Sequence, residues 1–134
     1  MMLHFKQGKK IETTSDFRNL IELSLQFLPE KTRAEDLKKT CQRTFQALRI
    51  DVNHEFEVLY EFLEKLPASL KSGGRVAILT FHSGEDRMVK KAFKQGYRSG
   101  IYSEISEDAI RPTPQECSQN PRAKSAKLRF AVKA

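Results

Sequence analysis

The chain has 134 residues, of which 39% are hydrophobic and 31% charged, as expected of one ordinary globular domain with a real core. No run approaches the roughly 18 consecutive apolar residues that a membrane span requires, and Met1–Lys6 lacks an apolar signal core, so a cytoplasmic chain with no membrane partner is expected. Lys and Arg exceed Asp and Glu to give a net charge of +7, which favours a polyanionic partner, with nucleic acid the leading candidate.

Thr13-Thr14-Ser15-Asp16 supplies capping residues ahead of Phe17, Leu20, Ile21 and Leu28 at helical spacing, ending near Pro29. From Thr32, the positions Ala34, Leu37, Cys41, Phe45 and Leu48 again follow steps of three and four. A third apolar face carries Phe56, Leu59, Tyr60, Leu63, Leu66 and Leu70, with Pro67 inside it. Ser72-Gly73-Gly74 breaks the pattern, and Val76–Phe81 reads as a short strand. Its unalternating apolar run suits a central parallel strand covered on both faces. Helical periodicity resumes from Glu85 to Lys94, and Gln95–Ser103 reads as a loop. A weak strand is expected within Ile101–Ile110, then a short helix near Pro114–Gln119. Lys127–Val132 alternates charged and apolar residues like a half-exposed strand. About three strands would leave a sheet edge to be covered by a second copy, a partner chain or a helix.

Cys41 and Cys117 are far apart and neither has a second cysteine at metal-motif spacing, so free thiols and no metal are expected. Three polar blocks remain. His82, Ser83, Glu85, Asp86 and Arg87 crowd the carboxyl end of the Val76–Phe81 strand, where α/β sheets bind ligands. A Ser83–His82 nucleophile pair is disfavoured, because neighbours at a strand end point apart and no nucleophile elbow is present. Ser83 reads instead as the cap of the next helix, with Glu85 and Asp86 answering its dipole. The second block, Arg43–Glu55, sets Arg43, Arg49 and Asn53 on a helix surface, where they either bind a ligand or pair with neighbouring acids. In the third, Arg122, Lys124, Lys127, Arg129 and Lys133 give five cations and no anion after Pro121. That segment could clamp phosphates or form a guarded basic edge.

In order and spacing these blocks resemble one family. They run Arg43-Thr-Phe-Gln-Ala-Leu-Arg-Ile through Glu55, Gly73-Gly-Arg through Phe81-His-Ser-x-Glu-Asp-Arg87, and Asn120-Pro-Arg-Ala-Lys-Ser-Ala-Lys-Leu-Arg129. The family is the MraW/RsmH methyltransferases, S-adenosylmethionine-dependent enzymes that modify N4 of a cytidine in small-subunit ribosomal RNA. The resemblance covers the chain from about Thr13 but only the family's C-terminal half. It implies an α/β fold: one domain over 1–134, with a helical portion over about 13–70 and the end of a Rossmann-like sheet over about 72–134. It places His82, Ser83, Glu85 and Arg87 at the catalytic, cytidine end. Arg43, Arg49, Asn53, Arg122, Lys124, Lys127 and Arg129 fall on the RNA side.

The family uses S-adenosylmethionine, yet no Gly-x-Gly-x-x-Gly pattern occurs in this sequence, and Gly73-Gly74 precedes a strand rather than following one. Cofactor-binding residues are therefore not assignable here. Gly84 stands where the family usually has Leu. The resemblance implies either one subunit of a split methyltransferase, inactive alone, or a non-catalytic RNA-binding remnant.

Overall fold

The computed structural model describes residues 10–134. It is a mixed α/β structure in two compact units, one ending at Asn53 and the other spanning His54–Ala134. The sequence reading has one domain with its transition near residue 71; in the structure the third helix belongs with the sheet.

The first unit holds α1 (Thr14–Ser24) and α2 (Glu30–Asn53). A capping box starts α1: Thr13 Oγ1 accepts from the Asp16 N–H at 3.1 Å, and Asp16 Oδ2 accepts from the Thr13 N–H at 3.0 Å. Leu20, Ile21 and Leu37 are buried, and the Phe17 and Phe45 rings meet edge to face at 5.0 Å. His54, with φ at 51°, stops α2 in the left-handed region, a conformation uncommon outside glycine.

The second unit runs α3 (Glu55–Ser69), β1 (Arg75–Thr80), α4 (Ser83–Arg98), β2 (Tyr102–Ile105), α5 (Pro114–Gln119), a 3₁₀ turn (Pro121–Ser125) and β3 (Lys127–Lys133). The sheet order is β1-β3-β2, and both pairings are antiparallel. This corrects two expectations. Val76–Phe81 is not flanked by parallel neighbours but forms one sheet edge. The alternating Lys127–Val132 segment is not an edge but the centre. Its alternation misleads because the charged Arg129 points inward, 6% exposed, rather than out to water.

In register, Val76, Ile78 and Thr80 oppose Ala131, Arg129 and Lys127. These residues face α4, and Val76, Ile78, Tyr102 and Ala131 join Leu63, Leu66, Val89 and Phe93 in the core. The pairs Ala77–Phe130 and Leu79–Leu128 fall on the other face, where Leu79 is 54% exposed.

The expected loop from Gln95 is also corrected, since α4 continues through Gly96 to Arg98. Glycine mid-helix normally costs about 1 kcal/mol relative to alanine. Here a Cβ on Gly96 would lie 2.4 Å from the buried Tyr102 ring, which itself stacks edge to face on Phe93 at 5.6 Å. Overpacking of that kind costs about 1–3 kcal/mol and outweighs the propensity gain. Gly96→Ala is therefore expected to lower the urea midpoint; an unchanged or raised midpoint would show that Tyr102 yields freely.

Candidate functional site

The carboxyl end of β1 passes through Phe81 directly into α4. The residue that caps the helix is His82, not Ser83: its Nδ1 accepts from the Gly84 N–H at 3.0 Å. With Nδ1 accepting that backbone N–H, Nε2 is the ring nitrogen left to donate. The imidazole lies 5.9 Å from the Phe56 ring, tilted by 49°. Gly84 makes room for this fold-back, because a Cβ there would sit 2.8 Å from His82 Cε1 and 2.9 Å from Phe56 Cζ. Ser83 is exposed in the first turn beside the half-buried Glu85, and Arg87 is exposed one residue beyond Asp86.

Asp86 is the residue that sequence reasoning undervalued. It is 6% exposed and grips the equally buried Arg129 in a bidentate pair, Nε to Oδ1 at 2.7 Å and Nη2 to Oδ2 at 3.2 Å. Lys127 Nζ approaches Oδ2 at 3.7 Å. The hydrogen bond from Arg129 holds the Asp86 carboxyl below its ordinary value, against the opposing effect of burial and with added attraction from Lys127 and Lys90. The first and third sequence blocks thus meet at one carboxylate. The signal was present in the sequence as an acid and a base in separate blocks, but only the fold shows that they pair.

This placement corrects the assignment of Arg129 to an RNA surface, since its guanidinium is buried and engaged with Asp86. Arg122 and Lys124 are exposed on the 3₁₀ turn, and Lys127 is partly exposed. Asn120 caps that turn through Oδ1, accepting from the Arg122 N–H at 3.3 Å, while Arg111 Nη2 donates to the Lys124 carbonyl at 2.9 Å. The backbone of the basic segment is therefore fixed. Arg43, Arg49 and Asn53 are exposed on α2, in the other unit.

No hydrogen bond joins Ser83 to His82 among the described residues, so the geometry offers no Ser–His nucleophile pair. The described glycines with positive φ, Gly73 at 75° and Gly100 at 80°, both precede strands and open no helix at a strand's carboxyl end. A groove of about 800 Å³ between α3 and α4, floored by Leu63, Met88, Ala92 and Tyr102, lies toward the opposite end of α4 from His82. Among the described residues there is no cluster of metal-ligating groups, and no helix is long and apolar enough to cross a membrane.

The depressed Asp86 value has a stability consequence. A carboxyl whose folded value lies below its unfolded one stabilises the fold fully above the unfolded value, near 3.8, and loses that contribution as the pH falls further. The stability gap between wild type and Asp86→Asn in urea titrations is expected to be widest near neutrality and to close below about pH 4. A gap independent of pH would contradict the pairing.

Comparison with known proteins places the geometry in a family. The sequence matches the profile of the MraW methylase family over residues 1–134. A protein of Agathobacter rectalis named ribosomal RNA small subunit methyltransferase H 1 is 67% identical over 129 residues, covering 96% of this chain and 37% of that protein. One of the same name from Lachnoclostridium phytofermentans is 64% identical, covering 96% and 35%. A ribosomal RNA small subunit methyltransferase H of Fervidobacterium nodosum is 46% identical, covering 93% and 40%. The chain spans little more than a third of the length of these relatives, and across that span it belongs to the MraW methylase family.

Proposed function

We propose that this chain supplies the RNA-side end of an S-adenosylmethionine-dependent methyltransferase acting on cytidine N4 of small-subunit ribosomal RNA. The cofactor side is then supplied by the remaining two-thirds of the length that the relatives possess. His82, Ser83, Glu85 and Arg87 shape the cytidine end, with His82 offering Nε2–H to the base. Arg43, Arg49, Asn53, Arg122, Lys124 and Lys127 engage the RNA. The name shared by the relatives supports the substrate class.

The observation that carries the two-part reading is the asymmetry of the sheet edges. Natural edges are kept short, bulged or charged to prevent pairing with another chain. β2 has those guards: four residues, a register shift between Tyr102 and Glu104, and the exposed Ser103 and Glu104. β1 has only one of them, the exposed Arg75 at its start. Its six residues run in unbroken register with β3, its interior is Val-Ala-Ile-Leu, and it carries neither proline nor bulge. The exposed Leu79 and Phe81, each 54% accessible, extend that apolar character to its outer side and end. Such a strand is suited to the interior of a larger sheet, with its free edge taking a strand from the rest of the enzyme. A second copy pairing edge to edge is the competing occupant.

The test mixes this chain with the complementary N-terminal segment of the 67%-identical relative. A one-to-one complex by sedimentation, binding S-adenosylmethionine in calorimetry where this chain alone binds none, is the expected result. Micromolar cofactor binding by this chain alone would overturn the division of labour. A homodimer indifferent to the added segment would assign the edge to a second copy. A complex that binds RNA but transfers no methyl group would favour the non-catalytic reading.

A further inference from the structure

We propose that the outer face of α4 is a phosphate-binding track continuous with the basic 122–127 segment; this rests on the RNA reading above and names a surface for it. Helix α4 carries Arg87, Lys90, Lys91, Lys94 and Arg98. At 3.6 residues per turn these five fall within an arc of about 100°, opposite the side that buries Val89, Phe93 and Gly96. From Arg87 to Arg98 the stripe is about 16 Å long at 1.5 Å per residue.

This pattern is costly for the helix. Arg87–Lys91, Lys90–Lys94 and Lys94–Arg98 are like-charge neighbours at i,i+4, and Arg87–Lys90 and Lys91–Lys94 are at i,i+3. Each such pair destabilises a helix. The other long helices do the reverse, with Lys39 paired to Glu35 on α2 and Lys65 to Glu61 on α3. Among the described residues, no ion pair within 4.0 Å neutralises any of the five α4 cations. A solvated face kept for solubility would interleave both signs, as α2 and α3 do. A face that repels itself is relieved by an external anion.

The Asp86 cluster joins this stripe to the third sequence block. One carboxylate attracts Arg129, Lys127 and Lys90, so cations are in surplus where the start of β3 meets the first turns of α4. The acids on the flanks set the limits of the track. Glu64 shares the α3–α4 groove with Lys91 and Arg98, and Glu104, Glu107 and Asp108 share a hollow with Lys94 and Arg98. Arg87 and Lys90 line neither hollow, so these flanking acids crowd the later turns of the stripe. A single-stranded ribose-phosphate backbone fits this surface: a linear polyanion that lies along 122–127, follows the α4 stripe through Lys94 and is turned away near Arg98, which lines both acid-bearing hollows.

The test is the salt dependence of binding to a labelled mixed-sequence single-stranded oligoribonucleotide of about 20 nucleotides, followed by fluorescence anisotropy. Each phosphate contact to a single strand contributes about 0.7 to the slope of log affinity against log salt. Lys90→Ala/Lys94→Ala is expected to lower the slope by about 1.4 and to weaken binding several-fold at low salt. Lys65→Ala/Lys71→Ala removes the same charge outside the stripe and is expected to change the slope by less than half as much. Lys90→Arg/Lys94→Arg is expected to restore it. Alanine is the best helix former and the change relieves repulsion, so α4 is retained, as circular dichroism will report. Wild-type binding unaffected by the stripe variant, or weakened equally by the control variant, would overturn the track and leave the RNA reading standing. No wild-type binding at low salt would overturn both.

Discussion

The buried pair between Asp86 and Arg129 is the interaction on which the arrangement of the second unit depends. It ties the first turn of α4 to the central strand, and so fixes where the β1–α4 junction sits against the sheet. Breaking a buried pair by removing one partner typically costs about 3–5 kcal/mol, because the survivor is left charged and unpaired. Here the desolvation is offset by bidentate geometry and by Lys127 at 3.7 Å. The pair also decides the chemistry of the segment around it. By holding Arg129 inside, it withdraws that cation from the surface, while Arg122, Lys124 and the α4 stripe stay outside.

From this anchor the rest of the site follows. With α4 held at its first turn, His82 can bend back to cap the helix against Phe56, and Gly84 gives it the room. Toward the far end of α4, Gly96 admits the Tyr102 ring and brings β2 beside the helix. The helix is thus fixed at both ends against the sheet, one end by charge and the other by close packing. What remains uncovered is the outer edge of β1 and the face carrying Ala77 and Leu79. Both are largely apolar, in keeping with a chain that spans little more than a third of its relatives.

Elements marked by local chemistry were legible in the sequence. The capping residues Thr13-Thr14-Ser15-Asp16 marked the start of α1, and Pro114 marked the start of α5. The three blocks were likewise enough to point to the family. Strand order was not legible, because β3 alternates charged and apolar residues as an edge strand does. Its inward charge is neutralised by a residue 43 positions away. Helix α4 was read too short because a mid-helix glycine signals a break unless a ring from another element needs the space. Ser83 looked like the cap by residue type, yet the histidine before it has the required extended backbone, with φ at −126°. In each case a tertiary contact overrode a sound local rule.

The central claim is that Arg129 acts within the fold rather than on RNA, and one double-mutant cycle tests it directly. Arg129→Gln, Asp86→Asn and the double variant would be compared for unfolding free energy, with oligoribonucleotide salt slopes measured on Arg129→Gln. The account predicts that Arg129→Gln and Asp86→Asn each destabilise strongly, that the double variant costs far less than their sum, and that the salt slope of Arg129→Gln matches wild type. Additive losses, or a stable Arg129→Gln with a slope reduced by about 0.7, would contradict it.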